Sequence, residues 1–248
     1  LGARHKTGTL LSRILSHEWN VINGFSSCVD NGCGVTAPFD GGFCSLRVPH
    51  KQAKFNYGVR TFFDCAATLK KVKGIAKLST KNSNGQKWRG VLLVRDPMEM
   101  LISGYLYHKR SFDCEKCPCE EMKKAPFAIG VKMQFECTKR DVAALAKMYD
   151  FARFNPNLLV LRLEDFVESS ASFDDQVKKM YRHMSQDILG DSMLKQFMQK
   201  AQSQDLARHH SKHTTSKVLK HQARQHLEQL PDNILRDLTL YRRMLGYK

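Results

Sequence analysis

Two stretches of this sequence carry residues that could hold an anion. The first is "HKTGTLL", where His5, Lys6, Thr7, Gly8 and Thr9 stand before an apolar run that begins at Leu10. A strand that turns into a helix leaves unpaired backbone N–H groups aimed at one point, and the helix dipole adds partial positive charge there. Gly8 lets the backbone come close to a guest, Lys6 supplies a mobile cation, and Thr7 and Thr9 supply hydroxyls. A phosphate or a sulfate suits such a loop. The common nucleotide loop reads G-x-x-x-x-G-K-[ST]; here Lys6 precedes Gly8, which weakens an ATPase or GTPase reading. A threonine-capped helix start is the plainer account of the same residues.

The second stretch is "LLVRDPMEMLISGYLYHKR". Arg95 falls at the carboxyl end of an apolar strand, where open α/β sheets bind ligands, and Ser103 comes eight residues later. At about 100° per residue, Ser103 lies two turns along the helix that Pro97 opens. A guanidinium and a hydroxyl could then flank a second phosphate. Taken alone, "RDP" also reads as a surface Arg-Asp pair before a Pro-started helix.

Together the stretches are more specific than either. "HKTGT" resembles the 5'-phosphosulfate loop of sulfotransferases, and "RDPMEMLIS" resembles that family's 3'-phosphate motif, with Arg95, Asp96, Pro97, Glu99 and Ser103 at the family's spacing. The later "LLVLRLEDF" stands where the family has a further strand and acidic pair. The resemblance implies a P-loop-like α/β fold. It also implies transfer of a sulfuryl group from 3'-phosphoadenosine 5'-phosphosulfate to a hydroxyl or amine, leaving adenosine 3',5'-bisphosphate, with no metal required. By this resemblance Lys6 and the amides of Thr7, Gly8, Thr9 and Leu10 hold the 5'-phosphosulfate, and Arg95 and Ser103 hold the 3'-phosphate. Lys6 also stabilises charge on the departing phosphate. The family's base is a His before Leu-Pro; here "SLRVPHK" has Arg47 at that place and His50 just after Pro49. His50 is the first candidate for the base, His108 the next, and a carboxylate stays open. The basic stretch Arg208–Lys220 occupies the place of a family loop that closes over the nucleotide; Lys212 and Lys217 could serve there, although no Gly occurs in it.

These residues need elements to position them. Residues 9–19 have the helical apolar period, 23–42 are rich in Gly, Asn, Asp and Cys and read as a loop, and "FCSLRV" reads as a short strand. Residues 61–73 read as a helix, "VLLV" as a buried parallel strand, and "PMEMLISGYLYHKR" as a helix. Residues 111–137 read as a Cys-rich insertion with little periodicity. A helix over "RDVAALAKMYDFARF", a second buried strand in "NLLVLRLEDF", helices over 173–200, a basic loop over "ARHHSKHTTSKVLKHQ" and a closing helix complete the chain. Strands alternating with helices predict an α/β fold, a mostly parallel central sheet flanked by helices. With 248 residues, 42% of them hydrophobic, the length fits one large domain over 1–248 with the insertion at about 111–137.

The 40 Lys+Arg against 24 Asp+Glu give a formal charge of +16, which attracts nucleotides, acidic glycans, nucleic acid or acidic surfaces without choosing among them. A basic polyanion-binding module explains the charge but leaves the two motifs coincidental, and a P-loop phosphotransferase needs the missing Gly-Lys order. The sulfate acceptor, whether an acidic glycan, a protein or a small alcohol, has no code in the sequence, and nothing points to specific nucleic-acid reading. No run approaches the roughly 20 apolar residues of a membrane span. A leader or anchor would therefore lie outside this segment. Eight cysteines, with no N-x-[ST] sequon, leave disulfides and thiols both open; a single C-x-x-C, Cys114 and Cys117, is a weak zinc signal. Thiols and charge lean toward the Golgi lumen, with the cytoplasm open.

Overall fold

The computed structural model describes residues 2–3, 15, 28–30, 60–63, 73, 89–110, 117–185, 189–209 and 217–248. The strands β1 (Gly2–Ala3), β2 (Cys28–Asp30), β3 (Arg60–Phe63), β4 (Gly90–Val94) and β5 (Leu158–Arg162) form one sheet in the order β2-β3-β1-β4-β5. All its pairs are parallel: Gly2 lies opposite Phe62 and Leu92, Cys28 opposite Arg60, and Gly90 opposite Leu158. The helices whose full extent lies among the described residues are α1 (Pro97–His108), α2 (Cys119–Lys124), α3 (Phe127–Arg153), α4 (Leu163–Glu168), α5 (Ser170–Ser185), α6 (Asp191–Ala201), α7 (Lys217–Gln225) and α8 (Asp232–Met244). The α/β class expected from alternating strands and helices is present. Val91 to Val94 are all buried, as a parallel strand covered on both faces requires.

The chain divides into two compact units, 1–94 with 151–210 and 95–150 with 211–248. The first contains the sheet. Its core is apolar: Val91, Leu93 and Leu161 from the strands lie in one cluster with Leu15 and with Phe166, Phe173, Tyr181 and Phe197 from α4, α5 and α6. Phe166 meets Phe173 edge-on at 5.9 Å, and Tyr181 lies 4.8 Å from Phe197. The one polar handle among these rings is used, because Tyr181 Oη donates to Leu15 O at 3.2 Å. His183 Nε2 lies 3.1 Å from both Gly90 O and Asn157 O; two carbonyl acceptors require that nitrogen to carry its proton, and the bond ties the starts of β4 and β5 together.

The second unit is helical among its described residues. Leu101, Ile102, Tyr105 and Leu106 of α1 share a core with Met122, Val131, Phe135, Ala223, Ile234 and Leu238. Two glycines allow close approach here. A Cβ on Gly104 would sit 2.7 Å from Gln134 Nε2, and one on Gly130 would sit 2.7 Å from Tyr105 Cε2.

Four local expectations are corrected. Residues 61–63 belong to β3 and not to a helix, although Lys73 is helical. The segment 23–42, read as a loop, contains the edge strand β2. The Cys-rich stretch is not an irregular insertion: residues 119–124 and 127–137 are helical, and Cys117, Cys119 and Met122 are buried. In the basic tail, residues 217–225 form α7, held by buried Ala223. The strand expected in "FCSLRV" and most of the opening helix lie outside the described residues, apart from Leu15, which is helical and fully buried.

Candidate functional site

β1 and β4 are neighbours, and the order of the sheet reverses between them: the chain leads from β1 to β2 on one side and from β4 to β5 on the other. The carboxyl ends of parallel strands at such a reversal are where open α/β sheets take ligands. His5 to Leu10 follow β1 in sequence after Arg4, and Arg95 follows β4 directly. Lys6, Thr7, Gly8, Thr9, Leu10 and His50 lie outside the described residues. Lys212 does as well, while Lys217 opens α7.

In the second unit, Arg95 is half-buried just before α1, and Ser103 is half-buried on the second turn of that helix. Asp96 caps α1: its Oδ1 accepts from Met98 N at 2.8 Å, and Pro97 takes the first helical position, where no donor is needed. The helix start is therefore already supplied with a carboxylate of its own. A second acid, Glu99, sits in the first turn. Both carboxylates are answered from the carboxyl-terminal helices, because Arg242 Nε donates to Asp96 Oδ2 at 3.0 Å and Arg224 Nε donates to Glu99 Oε1 at 2.7 Å. The start of α1 is thus capped by a carboxylate, and both of its acids are paired with arginines. Ser103 stands one turn beyond Glu99 on the same side of α1. Sequence reasoning missed Arg224 and Arg242. Their helices carry many basic residues, and nothing in charge or period selects the two that meet α1.

His108 ends α1 and is only 5% exposed. Its Nδ1 lies 2.6 Å from Gln134 Oε1, so with that amide orientation the proton sits on Nδ1 and is shared with a buried partner. Gln134 is itself fully buried, and its Nε2 has no hydrogen-bond partner. Among the described residues, no group of three or more His, Cys, Asp or Glu is placed to hold a metal ion. No helix among them is long and apolar enough to cross a membrane. Cys119 is disulfide-bonded, while Cys117 and Cys137 carry thiols.

No protein-family model, no curated protein and no solved structure matches the chain.

Proposed function

We propose that the chain is a sulfotransferase of P-loop-like fold, moving a sulfuryl group from 3'-phosphoadenosine 5'-phosphosulfate to a hydroxyl or amine, with a carbohydrate as the acceptor class its basic charge favours. One observation carries the reading: the two anion-binding motifs follow β1 and β4, which pair in parallel and flank the reversal in strand order. On this reading Lys6 and the amides of Thr7 to Leu10 bind the phosphosulfate, and Arg95 and Ser103 bind the 3'-phosphate. The acceptor oxygen forms the new S–O bond as the bridging bond from sulfur to the 5'-phosphate oxygen breaks. The electron pair of that bond stays on the phosphate, where Lys6 meets it, and the acceptor proton passes to His50. No metal enters the scheme, and a Golgi-type lumen suits the disulfide and the charge.

The decisive measurement is thermal unfolding with adenosine 3',5'-bisphosphate. Binding raises the midpoint by mass action, and no shift at millimolar nucleotide defeats the proposal. A labelled-sulfate transfer screen over glycans, peptides and small alcohols then identifies the acceptor. Magnesium-dependent ATP binding tighter than that of the bisphosphate would favour a phosphotransferase. Salt-sensitive polyanion binding without any response to the bisphosphate would favour a non-catalytic module.

A further inference from the structure

Any phosphate held by Arg95 and Ser103 meets a charge problem, because two carboxylates lie in the same stretch. Asp96 adjoins Arg95, and Glu99 stands one turn before Ser103 on α1. Residues four apart on a helix have Cβ atoms about 5–6 Å apart. At ~6 Å an unanswered carboxylate weakens binding of each phosphate charge by about threefold in a medium like water, and by about a hundredfold at the effective dielectric of a protein surface.

One residue of the second unit answers Glu99. Arg224 of α7 donates through Nε to Glu99 Oε1 at 2.7 Å, and its Nη2 meets the same oxygen. Packing brings the two side chains within reach, since Ala223, beside Arg224, is buried in one core with Leu101, Ile102 and Tyr105 of α1. The Arg224 side chain is itself 52% exposed, so it fills no space in that core. We propose that Arg224 is a specificity-determining residue for a 3'-phosphorylated nucleotide: by cancelling the charge of Glu99, it allows the site at Arg95 and Ser103 to accept a phosphate dianion. The inference rests on the sulfotransferase reading, which assigns the 3'-phosphate to those two residues. Arg224 acts through Glu99 and not by touching the phosphate. Its effect therefore falls on the 3'-phosphate's share of the binding and is erased when Glu99 loses its charge. Arg242 answers Asp96 in the same way at 3.0 Å, but Asp96 also caps α1, so a change there mixes charge with helix stability. The Glu99 pair isolates the charge.

The test is calorimetric titration of the whole chain with adenosine 3',5'-bisphosphate and with adenosine 5'-phosphate, which lacks the 3'-phosphate. The ratio of the two affinities reads what the 3'-phosphate contributes. In Arg224→Gln the ratio is expected to fall by about tenfold, between the two dielectric limits. In Glu99→Gln, where the guanidinium is no longer cancelled, it is expected to rise by about threefold or more. The double variant Glu99→Gln/Arg224→Gln replaces a neutral pair by a neutral pair and should return the ratio to that of the unsubstituted chain. If the unsubstituted chain shows no preference for the bisphosphate, the assignment of Arg95 and Ser103 fails, and this inference with it. If the preference is present, an unchanged ratio in Arg224→Gln overturns the inference alone. So does a double variant that stays as weak as Arg224→Gln, which would make Arg224 a direct ligand or a structural residue. Should Arg224→Gln not fold, Glu99→Gln decides, and a ratio that fails to rise overturns the proposal.

Discussion

The two units solve the problem of a core in different ways. In the first, strands β4 and β5 and helices α4 to α6 bury aliphatic and aromatic side chains, and its two buried polar groups among the described residues are answered by near neighbours in the chain. Ser185 Oγ donates to Arg182 O at 3.0 Å, and Asp205 meets Arg208, which at the rim also grips Asp174 through both guanidinium nitrogens at 2.9 and 2.7 Å. The second buries Thr138 and the thiol of Cys117 and joins two helices through a buried polar pair, His108 of α1 and Gln134 of α3. A core built from apolar area loses stability in proportion to what is cut from it. A core with interior polar groups is more sensitive to whether each one finds its partner.

The contrast makes predictions that can break it. Phe197→Ala removes a fully buried ring from the first unit and is expected to cost about 3–5 kcal/mol in denaturant unfolding. Gly130→Ala forces a methyl against the buried ring of Tyr105 and should cost about 1–3 kcal/mol, a change of a single carbon felt because α1 and α3 pack so closely there. His108→Leu keeps much of the volume but strips Gln134 of its hydrogen bond; a loss of about 1–2 kcal/mol is expected, read from the same unfolding curves. If His108→Leu proved neutral, the second core would be no more dependent on partners than the first.

The smallest effect is expected at the rim. The hydrogen bond from Arg208 holds the Asp174 carboxyl below its ordinary range, assisted by the charge of that guanidinium and opposed by partial burial. A carboxyl whose folded value is depressed contributes stability above its unfolded value, near pH ~4, and loses it as the pH falls through the folded value. Asp174→Asn should therefore lower the unfolding midpoint slightly at pH 7 and leave it unchanged at a pH below both values. A midpoint difference that persists in acid would mean that the pair acts through packing and not through charge.

Legibility in the sequence followed the length and purity of each pattern. "VLLV" and "LLVLR" were readable as β4 and β5 because each is an apolar run of strand length; all four residues of the first are buried, whereas β5, expected to be a second buried strand, stands last in the sheet order and is buried only at Leu161. β1 and β2 span two and three residues, too few to display a period, and β3 is followed by residues whose spacing looks helical. The first half of α3 was hidden by its own core: Gln134 and Thr138 occupy inward positions beside Val131, Phe135 and Val142, so the apolar stripe is interrupted where the helix is most buried. Of the candidate site, Arg95 and the Pro97 helix start were legible from local rules. The arginines that answer Asp96 and Glu99 were not, since pairing across more than a hundred residues leaves no local signature.

The position of β1 bears on how the chain reaches this fold. First in sequence among the described strands, β1 is central in space, and its partners Phe62 and Leu92 arrive only after long stretches of intervening chain. Closing such loops costs entropy before any pairing is gained, which slows folding. During synthesis from the amino terminus β1 must wait, its hydrogen-bonding edges unsatisfied, until β3 and β4 have emerged. A pause in translation before residue 90 would leave β1 without its β4 neighbour.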